Sequence, residues 1–306
     1  MRVSVVDASF LFVESCSTLD GLAKTCPFQC NFNPAAQVPT MQTLSKVTLL
    51  VAVCATLFSN ATAQQPTAKK DGKLYELRFY TTNPGKLPDL HARFRDHTMK
   101  LFEKHGMENI IYWNVIDGAA KSDDDKDNML IYIIAHKDEA AKDASWKAFI
   151  ADPEWKAVAA KSEEKGTILA KAPRAIFMQE TDFSAIDEPV NKNSDAPARL
   201  WELRQYNDGP ERVPHTVDRF GSGEKEIFTK HGMQTVKFWT ATDNSAFIYL
   251  LAHKDKTSSD ESWKGFKSEF PEFMKKYRDS HPNLPAGRGS GNDVRFLVPT
   301  DYSPRK

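Results

Sequence analysis

Cysteine is scarce in this chain of 306 residues, and the four present, Cys16, Cys26, Cys30 and Cys54, all lie before Ala63. Beyond that point no disulfide, thiolate nucleophile or cysteine-held metal is available. Net charge is missing as well. Its 41 basic side chains balance 41 acidic ones, so nothing draws the protein toward nucleic acid or an anionic membrane. Long apolar runs are absent too. The longest, Val47–Phe58, falls well short of the ~20 residues that a membrane helix needs. No HExxH or other spaced histidine–carboxylate set occurs, so no metal site is expected. No cofactor motif stands out, and no cofactor is expected. With 41% hydrophobic and 27% charged residues, disordered, collagen-like and coiled-coil readings also fail. A soluble protein remains, long enough for about two domains at ~150 residues each.

The apolar run at 47–58 has a specific pattern around it. Lys46 precedes it, and Ala61-Thr62-Ala63 follows. A basic start, a short apolar core and an Ala-x-Ala end form a secretory signal peptide. Met41 sits where such a peptide begins. The expected division is therefore 1–40 as an over-extended translation and 41–63 as the signal peptide, with cleavage after Ala63. A polar lead-in at 64–72 follows. The expected location is periplasmic or secreted, with no membrane attachment after cleavage. Val53 before Cys54 argues against a lipid anchor there.

The rest of the chain is one unit written twice. Of the 40 positions from Leu74 to Trp113, 15 are identical to those 126 residues further on. Leu74-Tyr-Glu-Leu-Arg-Phe-Tyr80 matches Leu200-Trp-Glu-Leu-Arg-Gln-Tyr206, and His105-Gly-Met107 matches His231-Gly-Met233. After a shorter loop the match resumes with Ala135-His-Lys-Asp138 against Ala252-His-Lys-Asp255, and Trp146 against Trp263. Thr181-Asp-Phe-Ser184 and Thr300-Asp-Tyr-Ser303 end the two copies. The units run over 73–184 and 199–304. A linker rich in proline and asparagine occupies 185–198.

Each unit reads as β-α-β-β-α-β. Residues 74–80 alternate, which predicts a strand. A helix is predicted at 86–105, with Leu90, Phe94, Leu101 and Phe102 on one stripe. Pro88 suits its first turn and Gly106 its end. Strands follow at 107–116 and 128–136. A second helix starts near Ala140, breaks at Asp152-Pro153 and resumes at Trp155. The last strand is at 173–181. This order defines a ferredoxin-like α+β unit, one sheet with helices on one face. Two tandem copies can cover each other's bare faces, sheet to sheet, as a pseudo-twofold α/β barrel.

These residues resemble the NIPSNAP family within the dimeric α/β-barrel group. The carrying motifs are Tyr75-Glu-Leu-Arg-x-Tyr80, Pro84-Gly-Lys, Leu101-Phe-x-Lys-His-Gly-Met107 with Trp113, Trp146-x-x-Phe149 with Asp152-Pro-x-Trp155, and Pro299-Thr-Asp-Tyr-Ser-Pro304. The resemblance implies tandem ferredoxin-like repeats with no assigned biochemical activity. Related barrels include cofactor-free monooxygenases, haem enzymes and isomerases, so the fold alone selects no chemistry.

Glu76, Arg78 and Tyr80 share one strand face, and Glu202, Arg204 and Tyr206 repeat it. On the inner face of a barrel they would hold an anionic or carbonyl ligand, since arginine presents a forked donor set. Their duplication favours a structural ion pair instead, across the sheets between the repeats or at the rim. His97 and His105 are the candidate catalytic bases. His97 faces Gly223 in the other copy, an asymmetry that would mark one active half. His105 and His231 sit where a histidine also favours a helix C-terminus. His136 and His253 read as strand-end residues, and the tryptophans as core. Lys121–Asp127 lacks the turn glycine of an EF-hand. Gly287-Arg-Gly-Ser-Gly291 lacks the P-loop lysine. Two functions stay open: an exported small-ligand-binding or interaction protein, and a cofactor-free barrel enzyme with Arg78 fixing an enolate or carboxylate. Haem held by a histidine is a third. A small-molecule ligand and a further copy of the chain are the partners left open.

Overall fold

The computed structural model of the protein describes residues 72–118, 123–184, 197–285 and 291–306. The expected signal peptide, the 1–40 reading and all four cysteines lie outside the described residues. So do most of the linker and most of the glycine run at 287–291.

The first half contains β1 (Leu74–Thr81), α1 (Leu87–Arg93), α2 (Met99–Lys104), β2 (Glu108–Gly118), β3 (Met129–His136), α3 (Glu139–Ala151), α4 (Pro153–Ser162) and β4 (Arg174–Glu180). The second contains β5 (Leu200–Tyr206), α5 (Val213–Arg219), α6 (Lys225–Lys230), β6 (Gln234–Ala241), β7 (Phe247–His253), α7 (Lys256–Ser280) and β8 (Asn292–Pro299). The strands close into one barrel, in the order β1-β3-β2-β8-β5-β7-β6-β4. Within each half the strands run 4-1-3-2, all antiparallel. The halves meet through β2 with β8 and β4 with β6. Length allows about two domains, and the two halves build a single closed barrel, as the pairing of two repeats suggested.

Strand alternation sorts the side chains. Leu77, Ile131, Ile133, Trp201, Leu203 and Leu297 point inward and are at most 1% exposed. Trp113 and Trp201 meet there at a ring-centre distance of 5.7 Å. The barrel interior is thus a packed apolar core, in which each fully buried large side chain contributes about 1.5–3 kcal/mol. Tyr80, Tyr112 and Tyr132 point outward and pack with Phe94 and Phe102 from the helices. Their counterparts in the second half are Tyr206, Phe238, Tyr249, Phe220 and Phe228.

Two features were not visible as local pattern. The helix predicted at 86–105 contains a π-helical turn at Phe94–Thr98, and its counterpart is Phe220–Glu224. Thr98 Oγ1 donates to the Arg93 carbonyl at 3.0 Å, which satisfies an acceptor within the widened turn. The second is that α7 runs unbroken for 25 residues, through Pro271, where the first half breaks at Asp152 as Pro153 predicts. Asp152 leaves the helix and caps Glu154 N at 2.8 Å while bonding His105 Nε2 at 2.7 Å. Glu269 is one methylene longer and reaches His231 Nε2 at 3.0 Å from within the helix.

The two halves clamp each other. Thr300 N donates to Tyr112 O at 2.9 Å, and Tyr112 N donates to Ser303 Oγ at 3.1 Å. Thr181 N and Phe238 O, and Phe238 N and Ser184 Oγ, make the same pair at 3.1 and 3.0 Å. Each half's closing turn is thus fixed to the other half's strand.

Candidate functional site

Glu76 lies on β1 and is fully buried, but it faces the helices. The expected inner-barrel position for Glu76, Arg78 and Tyr80 is corrected. Tyr75, Leu77 and Phe79 take the inner face, and the polar side of the strand lies under α3. Both faces of the strand are buried, so alternation alone could not say which one lined the barrel.

Glu76 Oε2 accepts hydrogen bonds from Trp146 Nε1 at 2.8 Å and His136 Nε2 at 3.1 Å. Its Oε1 accepts from Arg78 Nη1. Arg78 Nη2 donates to the Tyr80 hydroxyl at 3.3 Å, and the guanidinium lies 4.5 Å from the Trp146 ring centre. Glu202 repeats the arrangement with Trp263 at 2.8 Å, His253 at 2.9 Å and Arg204 at 2.7 Å. Arg204 lies 4.3 Å from the Trp263 ring centre. The ion pairs are local to each half and do not cross between the sheets.

Burial pushes the Glu76 carboxyl up, but His136, Arg78 and Trp146 together outweigh it and hold it below the usual range. Glu202 behaves alike, with His253, Arg204 and Trp263 opposing burial. Burial disfavours the Arg78 and Arg204 cations, yet the nearby tyrosines and the glutamate of each pair raise both above their ordinary value. Each half therefore holds an ionised pair in a low-dielectric setting, with both carboxylate oxygens engaged and the Nε of Arg78 and of Arg204 buried without a hydrogen-bond partner. His136, His253, Trp146 and Trp263 belong to this constellation, although their spacing read as strand end and core. Their recurrence at a constant separation of 117 residues was the available signal.

Among the described residues the halves differ in access; the second half's counterpart of Ile168 lies at 286–290, outside them. In the first, the chain after α4 pairs with β1, through Ala170 N to Thr81 O at 3.0 Å and Asn83 N to Ile168 O at 2.8 Å. Ile168, fully buried, packs in one cluster with Tyr80, and the Arg78 side chain is only 8% exposed. In the second half, Glu202, Arg204 and Tyr206 line a cleft of about 1000 Å³ between β5, α5 and α7. Six arginines and lysines line it against four carboxylates. Trp263, Phe270, Tyr277 and Phe296 add aromatic walls, and Lys267 and Arg278 stand at the exposed rim.

Glu224 also lines the cleft, and the first half has Thr98 in its place. It is 2% exposed and accepts from Arg219 Nε. Burial pushes its carboxyl up, against the pull of Arg219 and Arg204. Gly223, at φ +133°, makes the sharp turn that precedes it. The sequence comparison noted this place only as the partner of His97.

His97 is exposed on the π-helical turn and is not brought to Arg78. His105 is bound to Asp152, which Lys104 also reaches at 2.8 Å. That contact ties α2 to the start of α4. Among the described residues no group of three or more histidine, cysteine or acidic side chains is placed to hold a metal.

An eight-stranded α/β barrel with helices on its outer face, and a buried Glu–Arg pair under those helices in each half, defines the class. Residues 75–185 match the family model NIPSNAP. It is similar in structure to a NIPSNAP family protein of unknown function from Agrobacterium tumefaciens. That likeness has 18% identity and a TM-score of 0.32, over 39% of this chain and 96% of the other. An anthrone oxidase-like protein aligns at 13% identity and a TM-score of 0.46, over 78% of this chain and 97% of the other. A chlorite dismutase variant from Candidatus Nitrospira defluvii aligns at 8% identity and a TM-score of 0.43, over 76% and 93%. None of the curated proteins compared with the chain matches it.

Proposed function

We propose that the protein is an exported binding protein, built from two NIPSNAP-like repeats, that holds a small aromatic anion in the cleft of its second half. The observation that carries this reading is the difference between two equal constellations. The Arg78 side chain is 8% exposed beside a Tyr80 that packs with Ile168, while Arg204, on the same frame, is 16% exposed and lines the cleft. A guanidinium already stacked on Trp263 and paired with Glu202 loses little freedom when it takes a ligand carboxylate. The aromatic walls supply apolar area for the rest of the molecule. Export rests on the apolar run at 47–58 and its Ala61-Thr62-Ala63 end.

Calorimetric titration with 2-naphthoate tests the ligand class, with 2-naphthylmethylammonium as the cationic control. Saturable binding of the anion alone, weakened in Arg219→Gln, is expected. Equal binding of both probes, or of neither, rejects the reading. Native mass spectrometry of the protein from its own source then identifies the resident ligand, and the mass of the chain shows whether it begins at Gln64.

A second reading is a cofactor-free enzyme. Glu224 favours it, because a buried carboxyl with a raised pKa in a cleft suits proton transfer. Its test is turnover of a bound ligand that Glu224→Gln abolishes while affinity survives.

A further inference from the structure

Helix α5 turns His215, Thr216 and Arg219 to the cleft, and Pro214, Val217 and Asp218 to a second cavity of about 560 Å³. This cavity is bounded by the ends of β4 and β6 and by the closing turn Thr181–Ser184. The equivalent place in the first half holds the Arg95 side chain, which is 42% exposed. There Arg95 donates from Nε and Nη2 to the two oxygens of Asp301, at 2.9 and 2.8 Å. The Arg95 guanidinium lies 5.3 Å from the Tyr302 ring centre, and His91 Nδ1 bonds the Tyr302 hydroxyl at 2.7 Å.

The second half keeps the frame and loses this side chain. The closing turns are fixed by the same backbone bonds to Tyr112 and Phe238, so Asp182 stands where Asp301 stands, and Phe183 where Tyr302 stands. At the constant separation of 126 residues, Gly221 replaces Arg95, Val217 replaces His91 and Ser222 replaces Asp96. Among the described residues three carboxylates line the cavity, and no arginine, lysine or histidine does. Glu180 is engaged by Lys237 at 3.1 Å. Asp218 is engaged by the Tyr277 hydroxyl at 2.7 Å and by His281 at 3.1 Å. Asp182 is exposed at the mouth.

We propose that this cavity binds a ligand carrying an alkylguanidinium group, which pairs with Asp182 and lies on Phe183 as Arg95 pairs with Asp301 and lies on Tyr302. The fork of two parallel bonds is the geometry that guanidinium and carboxylate favour. The aromatic face adds cation–π attraction. A volume of 560 Å³ exceeds a guanidinium head, so the body of the ligand fits beside Val213, Pro214 and Val217. The site is independent of the anion cleft, since opposite faces of α5 serve the two.

The test is titration of the full chain with butylguanidinium, with N-butylurea as the uncharged comparator. An acetylated, amidated Ala-Ala-Arg-Ala-Ala peptide forms a second arm. Binding of butylguanidinium but not of the urea is expected. Asp182→Asn should weaken it about tenfold or more, the loss of one charge-assisted pair. Gly221→Arg should abolish it by restoring the missing side chain. The Cβ it adds meets the Phe183 ring at 3.3 Å, which asks for a shift of a few tenths of an ångström. A melting temperature at or above that of the parent shows that this variant folds. Tighter binding of the peptide assigns the source to an arginine of a partner chain, and equal or weaker binding assigns it to a free small cation. Equal binding of butylguanidinium and the urea, no binding of either, or affinities unchanged in both variants overturns the proposal.

Discussion

Trp263 donates its indole N–H to Glu202 across 2.8 Å, and Arg204 lies against the face of the same indole ring. One side chain thus serves the anion through its edge and the cation through its face. Trp146 does the same for Glu76 and Arg78.

Removing only the N–H separates these two roles. Trp146→Phe keeps a ring under Arg78 but leaves the Glu76 carboxylate one donor short. It should destabilise the protein by about 1–3 kcal/mol. Glu76→Ala strands the buried Arg78 cation and should cost more, about 3–5 kcal/mol. Urea denaturation measures both. A loss below about 0.5 kcal/mol for Trp146→Phe would mean that the indole bond contributes nothing net.

Acid should act through the same pairs. Glu76 and Glu202 sit below the ordinary carboxylate range, so the unfolded chain binds their protons more tightly than the folded one. Their stabilisation is complete above about pH 4.3, the ordinary value for glutamate, and is lost as pH falls through the lower folded values. Urea midpoints from pH 6 down to pH 3 should fall more steeply for the parent than for a Glu76→Gln/Glu202→Gln variant. Parallel curves would remove both residues from the acid response.

In the cleft the sign is reversed. Glu224 titrates above its ordinary value because it is buried. As pH falls through that raised value, its negative charge beside Arg219 and Arg204 is lost. Affinity for 2-naphthoate should therefore rise on mild acidification, and Glu224→Gln should flatten the profile. The profile with His215→Gln serves as a control, since His215 also lines the cleft. A pH dependence unchanged in Glu224→Gln but lost in His215→Gln would assign the effect to the histidine.

Gly223 should resist replacement. Its φ of +133° is costly for any side chain, and an added Cβ meets Phe273 at 3.2 Å. Gly223→Ala should cost about 1–3 kcal/mol and weaken 2-naphthoate binding through the displaced Glu224. At His97, which holds the matching place in a regular π-turn, alanine should be silent in both assays.

Strand and helix order was legible because it rested on periodicity and on punctuation by Pro88, Gly106 and Pro153. Those signals are local, and the first two recur as Pro214 and Gly232. The site was half legible. Glu76, Arg78 and their counterparts stood out as an alternating polar face, but which face lined the barrel depended on how the sheets closed. His136 and Trp146 joined Glu76 from elements 60 and 70 residues away, a contact that no local pattern encodes. Glu224 was hidden because comparison of the repeats rewards what is shared, whereas the cleft and the second cavity arise from what differs.

Strand β8 pairs with β5 of its own half and with β2 of the other. Residues 292–299 are therefore needed twice. A chain still emerging from the ribosome can assemble the first sheet, but β2 keeps an open edge until the final strand arrives. Unpaired strand edges and uncovered apolar faces are the common starting points of aggregation. Synthesis of this protein thus includes a vulnerable interval that lasts until residues 292–299 have emerged, during which a chaperone or rapid transfer of the nascent chain would have the greatest effect on yield.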